Sequence, residues 1–77
     1  VSRSDAVADT VRAELVGNVL QVLTEPGRAV AAGEPLLLLE SMKMEIPVSS
    51  EVGGTVTHVV VAVGDVVQQG DPLVVLG

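Results

Sequence analysis

Lys43 is the sole lysine of the 77-residue sequence, and the only two methionines, Met42 and Met44, stand on either side of it. A lysine-directed acylation therefore has one target and a fixed stoichiometry. Taken alone, a solitary lysine at a turn is most often a solvated surface group. Two soft apolar side chains beside it change the balance. If exposed, they form a small hydrophobic patch that costs solubility and is readily explained as a docking surface for a modifying enzyme. Core packing is the structural alternative for both methionines. Glu40 and Glu45 bracket the run Glu40-Ser41-Met42-Lys43-Met44-Glu45 with charge, as simple solvation or as protection of a strand edge.

A free ε-amine is almost entirely protonated near neutral pH, so it does not acylate itself efficiently and an external ligase has to position and deprotonate it. The chain offers few parts for chemistry of its own. It has no Cys, Phe, Tyr or Trp and one histidine, His58, which falls in a predicted strand and suits a surface position better than an acid/base role. A nucleophile–base–orienter constellation cannot be assembled from this set, nor can a thiolate or His-rich metal site. The residues describe a substrate and carrier, not a catalyst.

Ten acidic residues against four basic ones give a net charge of −6, which repels phosphate backbones and anionic lipid. No stretch approaches the ~20 apolar residues of a membrane span, and Arg3, Asp5, Asp9 and Arg12 break up the start in a way unlike a signal peptide. Neither nucleic acid nor membrane is an expected partner, and the cytoplasm is the expected location.

The elements that must present Lys43 follow from the rest of the chain. It is 48% hydrophobic with a Val-rich, aromatic-free repertoire, which predicts strands, and its length suits a single small domain. An offset of 37 lays residues 16–40 over residues 53–77 without gaps. From Gly17 onward nine of 24 pairs are identical: Gly17/Gly54, Val19/Val56, Val22/Val59, Gly27/Gly64, Val30/Val67, Gly33/Gly70, Pro35/Pro72, Leu36/Leu73 and Leu39/Leu76. Each copy reads as a strand, a glycine turn, a short extended piece, a second glycine, then proline opening an apolar strand. Such a unit cannot bury its own apolar face, so the copies are expected to pack together about an approximate two-fold axis as an all-β flattened barrel or sandwich. The connector then emerges at one pole, with a hairpin tip expected at residues 41–46 and the chain ends at the other pole. Residues 1–10 read as a flexible leader before a domain spanning 11–77. A tip of Ser, Met and Lys breaks the Asn-Gly preference of tight hairpins, a departure that tends to mark functional positions.

With the run Glu40-Ser41-Met42-Lys43-Met44 and the paired turns Gly27, Gly33, Pro35 and Gly64, Gly70, Pro72, the sequence resembles the biotinyl (biotin carboxyl carrier) domain family from about Arg12 to Gly77. It is most similar there to short stand-alone actinobacterial biotinylated proteins. The resemblance implies a barrel-sandwich hybrid fold and biotin as the cofactor. It also implies Lys43 as the attachment site, Met42 and Met44 as the residues read by a biotin protein ligase, and Glu40 and Ser41 as part of the same motif. The implied role is a non-catalytic carrier that shuttles a carboxyl group between biotin carboxylase and carboxyltransferase subunits of an acyl-CoA carboxylase or a related enzyme. Ser41 stands where Ala is common, and Glu14-Leu15 where many members have Pro-Met, departures that bear on the choice of partner. The protruding thumb insertion of some acetyl-CoA carboxylase carriers has no counterpart.

Lipoyl domains share the repeat, the turns and the hairpin lysine, but usually have an acidic residue before the lysine and a small one after it, unlike Met42 and Met44. An unmodified barrel-sandwich adaptor needs no tip lysine flanked by methionines, and a biotin store outside any carboxylase is a third alternative. Docking specificity is expected around the tip and on the strands beside it, at residues such as Glu45, Pro47, Ser49, Ser50 and Glu51.

Overall fold

Gly17–Val22 and Gly54–Val59 place Val19 and Val56 inward while their neighbours Asn18, Leu20, Thr55 and Thr57 face out, and each segment forms a six-residue strand. A computed structural model describes residues 9–77. In chain order the strands are β1 (Asp9–Arg12), β2 (Gly17–Val22), β3 (Ala29–Val30), β4 (Pro35–Ser41), β5 (Met44–Ser49), β6 (Gly54–Val59), β7 (Val66–Val67) and β8 (Pro72–Leu76). The described residues contain no helix. Pro35 and Pro72 open β4 and β8, as the sequence predicts. The turn glycines Gly27, Gly33, Gly64 and Gly70 all have φ between 83° and 95°, a region costly for residues with a Cβ.

Two four-stranded antiparallel sheets form, in the orders β1-β8-β6-β3 and β5-β4-β2-β7. Each order is the other's image under the 37-residue offset, and the symmetry extends to the hydrogen bonds. Leu23 N–H to Leu36 C=O is matched by Val60 N–H to Leu73 C=O, and Gly33 N–H to Ser50 C=O by Gly70 N–H to Ala13 C=O. The bulges repeat too, at Leu20 between Val19 and Gln21 and at Thr57 between Val56 and His58, bending both sheets in the manner that closes a barrel. The turn carboxylates follow the same rule: Glu34 accepts from Ala31 N–H and Asp71 from Gln68 N–H.

The core is assembled from symmetry mates, Val19 with Val56, Val30 with Val67, Leu36 with Leu73, Leu37 with Val74 and Leu39 with Leu76, completed by Ala13. Burying a Val or Leu side chain contributes about 1.5–3 kcal/mol, so no aromatic is needed to fill so thin a body. The expected all-β barrel-sandwich of two pseudo-two-fold copies is the architecture found.

Two boundaries differ from expectation. Of the leader expected at 1–10, residues 1–8 lie outside the described residues, while Asp9 and Thr10 are strand residues of β1 opposite Leu76 and Val75. β1 thus continues the repeat: its register on β8 (Asp9–Leu76, Thr10–Val75, Val11–Val74, Arg12–Pro72) repeats that of β5 on β4 (Ile46–Leu39, Pro47–Leu38, Val48–Leu37, Ser49–Pro35). The tip expected at 41–46 is tighter, because Ser41 and Met44 already pair. The two poles follow from the path of β2, which starts beside Glu40 at Gly17 and runs away from the hairpin. The chain then turns into β3, which pairs with Gly54 and Thr55 beside Gly77.

Candidate functional site

Leu37 and Leu39, both buried, fix β4 in the core, and β5 pairs with it from Pro35–Ser49 up to Ser41–Met44. Only Met42 and Lys43 remain outside the ladder, as a two-residue loop. Both have positive φ, 53° and 64°, as a type I′ turn requires, and they are the only non-glycine residues with positive φ among those described. The tip thus adopts the positive-φ turn with residues other than the Asn-Gly pair it prefers. Lys43 is exposed, Met42 is 89% exposed and Met44 59%, so core packing does not account for either methionine.

The base of the hairpin is braced by backbone. Gly17 lies so close to β4 that a Cβ there would stand 2.7 Å from the Glu40 carbonyl oxygen. Ser41 is half-buried and Glu40 exposed. Glu40 faces Glu45 directly across the β4–β5 ladder, and neither forms an ion pair among the described residues, where Arg28–Glu34 is the pair present. Like charges directly opposite are unfavourable, so this pair is not there to hold the hairpin shut. The same row continues through Asn18 of β2 to Val66 of β7, which is 67% exposed. Sequence reasoning passed over Asn18 and Val66 because only the register brings them beside the tip. The repeat held a hint, since Val66 is a large apolar residue where the first copy has Ala29.

The other expectations divide. Glu45 and Pro47 are exposed on β5 close to the tip. Ser49 closes β5 at its far end, with Ser50 and Glu51 beyond it, about 17–20 Å along the strand from Lys43. Ser50 is buried, and its hydroxyl accepts a hydrogen bond from Val52 N–H at 3.1 Å. It is the mate of Ala13 and belongs to the framework, not to the exposed surface that docking requires. His58 is exposed on β6, with Nδ1 3.2 Å from Thr57 Oγ1, a surface histidine.

The fold is a pseudo-symmetric barrel-sandwich with a lysine hairpin at the pole away from the Asp9–Leu76 pairing. The family described as "Biotin-requiring enzyme" matches residues 6–76, and the chain belongs to that biotin/lipoyl family. It is 52% identical over 48 residues to a biotinylated protein TB7.3 homolog of Mycobacterium leprae, covering 62% of this chain and 68% of that one. With the homolog from Mycolicibacterium smegmatis it is 55% identical over 42 residues, 54% of this chain and 59% of the relative. The match thus spans 68% and 59% of the length of these two curated relatives. Among solved structures, Kluyveromyces lactis urea carboxylase superposes with a TM-score of 0.88 at 26% identity, over 99% of this chain and 7% of that one. A single-chain, multi-domain long-chain acyl-CoA carboxylase gives 0.83 at 36% identity, over 97% and 7%.

Proposed function

We propose that the chain is a biotin carboxyl carrier in which the Lys43 ε-amine forms an amide with the carboxyl group of biotin, made by a biotin protein ligase. In this reading it works as a subunit of a biotin-dependent carboxylase, visiting a biotin carboxylase site and a carboxyltransferase site in turn. The observation that carries the proposal is the hairpin itself: the sole lysine, held in a left-handed turn between two exposed methionines, at the pole away from the pairing of Asp9 with Leu76. The relatives named as biotinylated proteins and the carboxylases of the same fold support it.

The site fits the cofactor, because an amine with open surroundings at a strand tip admits an acyl group of any length without displacing a neighbour. Attached biotin supplies the carboxyl-carrying chemistry. The chain supplies reach: anchored at one pole, it keeps the arm at high effective concentration near two successive active sites. The two-residue turn limits the motion of the lysine backbone, so mobility resides in the side chain and in whatever tethers the domain. Met42 and Met44 offer the ligase an apolar flank on either side of the amine, and Glu40 and Ser41 complete the surface it reads.

Intact mass after incubation with biotin, ATP and a biotin protein ligase tests this directly. One biotinoyl increment, absent from the Lys43→Ala variant, is expected. An increment from lipoate and a lipoate ligase instead would transfer the chain to the lipoyl branch of its family. No increment from either would leave an unmodified adaptor.

A further inference from the structure

Every thioether in the chain is at the tip. Met42 and Met44 are the only methionines, there is no cysteine and no aromatic residue, and the core is built wholly from Val, Leu and Ala. The two sulfur side chains thus flank Lys43 where solvent reaches both, at 89% and 59% exposure, while the body they stand on contains no comparably oxidisable group. Exposure and thioether chemistry together govern methionine oxidation, and an oxidised methionine on a surface turn leaves a sulfur-free core untouched. We propose that Met42 and Met44 form a reversible oxidation site that gates access of the modifying ligase to Lys43. The gate rests on the carrier reading above.

The step balances with a hydroperoxide as oxidant. The methionine sulfur attacks the terminal peroxide oxygen, the O–O bond breaks as the S–O bond forms, and sulfur is oxidised by two electrons. The hydroperoxide is reduced to water or an alcohol, the leaving oxygen taking up the proton. A thiol-dependent methionine sulfoxide reductase runs the reverse, consuming two thiols and releasing a disulfide and water. The product has a polar, chiral S=O where an apolar methyl thioether stood. A ligase surface that buries Met42 and Met44 must then desolvate two sulfoxides without partners, which slows its reaction at Lys43 about tenfold or more. Because neither side chain packs in the core, the fold survives in both states.

The test treats the purified chain with hydrogen peroxide and follows intact mass, thermal midpoint and initial rate of biotinylation. Two oxygen increments are expected, mapped to Met42 and Met44 and appearing at the rate of free methionine, with an unchanged midpoint. Biotinylation should slow about tenfold and recover after sulfoxide reductase with a dithiol. The double variant Met42→Leu, Met44→Leu, whatever its basal rate, has no sulfur to oxidise, and its rate is the same with and without peroxide. An undiminished rate for the doubly oxidised chain overturns the gate, as does oxidation much slower than that of free methionine. An unoxidised chain that accepts no biotin overturns the carrier reading and the gate with it, whereas normal biotinylation before peroxide isolates any failure to the gate alone.

Discussion

A residue with a Cβ placed in the left-handed region strains the backbone by about 1 kcal/mol, and the tip holds two in succession, Met42 and Lys43. Asn-Gly is the pair that such a turn accepts without strain. The double variant Met42→Asn, Lys43→Gly should therefore be more stable than the native chain by about 1–2 kcal/mol, read as a higher urea midpoint at unchanged slope. It should also accept no biotin. A midpoint that stays put or falls would mean that the strain is relieved elsewhere in the hairpin. A rise would make the native pair a trade of stability for a lysine in a fixed place, the pattern expected where a local rule yields to chemistry. The facing Glu40 and Glu45 are a second unfavourable choice, one ladder step below the Ser41–Met44 pair that closes the turn.

At the scale of elements, the pseudo-symmetry supplies an internal control. Gly17 and Gly54 are mates at the starts of β2 and β6, yet a Cβ on Gly17 would lie 2.7 Å from the Glu40 carbonyl oxygen, whereas one on Gly54 would find its nearest neighbours at 3.5 Å. Gly17→Ala should accordingly cost about 1–3 kcal/mol by pushing β4 away from β2 at the base of the hairpin, and Gly54→Ala should change the denaturation midpoint little. Equal effects would show that the brace under the hairpin has no special role. The elements also show where the sequence stops being informative. The repeat is plain over residues 17–39 because turn glycines, strand-opening prolines and inward Val and Leu are dictated by backbone geometry and burial. It fades over 9–12 against 46–49, where only Val11 and Val48 agree. There the symmetry is kept by main-chain pairing, which any side chain but a misplaced proline permits, and the sequence does not announce β1 for that reason. The tip is legible in its residues but not in its length, since Met-Lys does not announce a two-residue turn, and a serine at position 50 reads as surface although it fills the buried place that Ala13 fills in the other half.

On the scale of the whole molecule, the two copies share one core, so neither should be stable without the other. Leu36→Ala and Leu73→Ala, at fully buried mates in β4 and β8, should each cost about 2–5 kcal/mol and lower the midpoint of a single cooperative transition monitored by circular dichroism and by hydrogen exchange alike. Loss of protection confined to the mutated half would show instead that the halves fold separately. A last consequence comes from the pairing of Asp9 with Leu76 at the pole away from the lysine. Two chain positions one strand spacing apart, about 4.8 Å, are what a surface loop of another protein offers when it is opened. A domain whose entrance and exit coincide in this way can be spliced into a host polypeptide without stretching it.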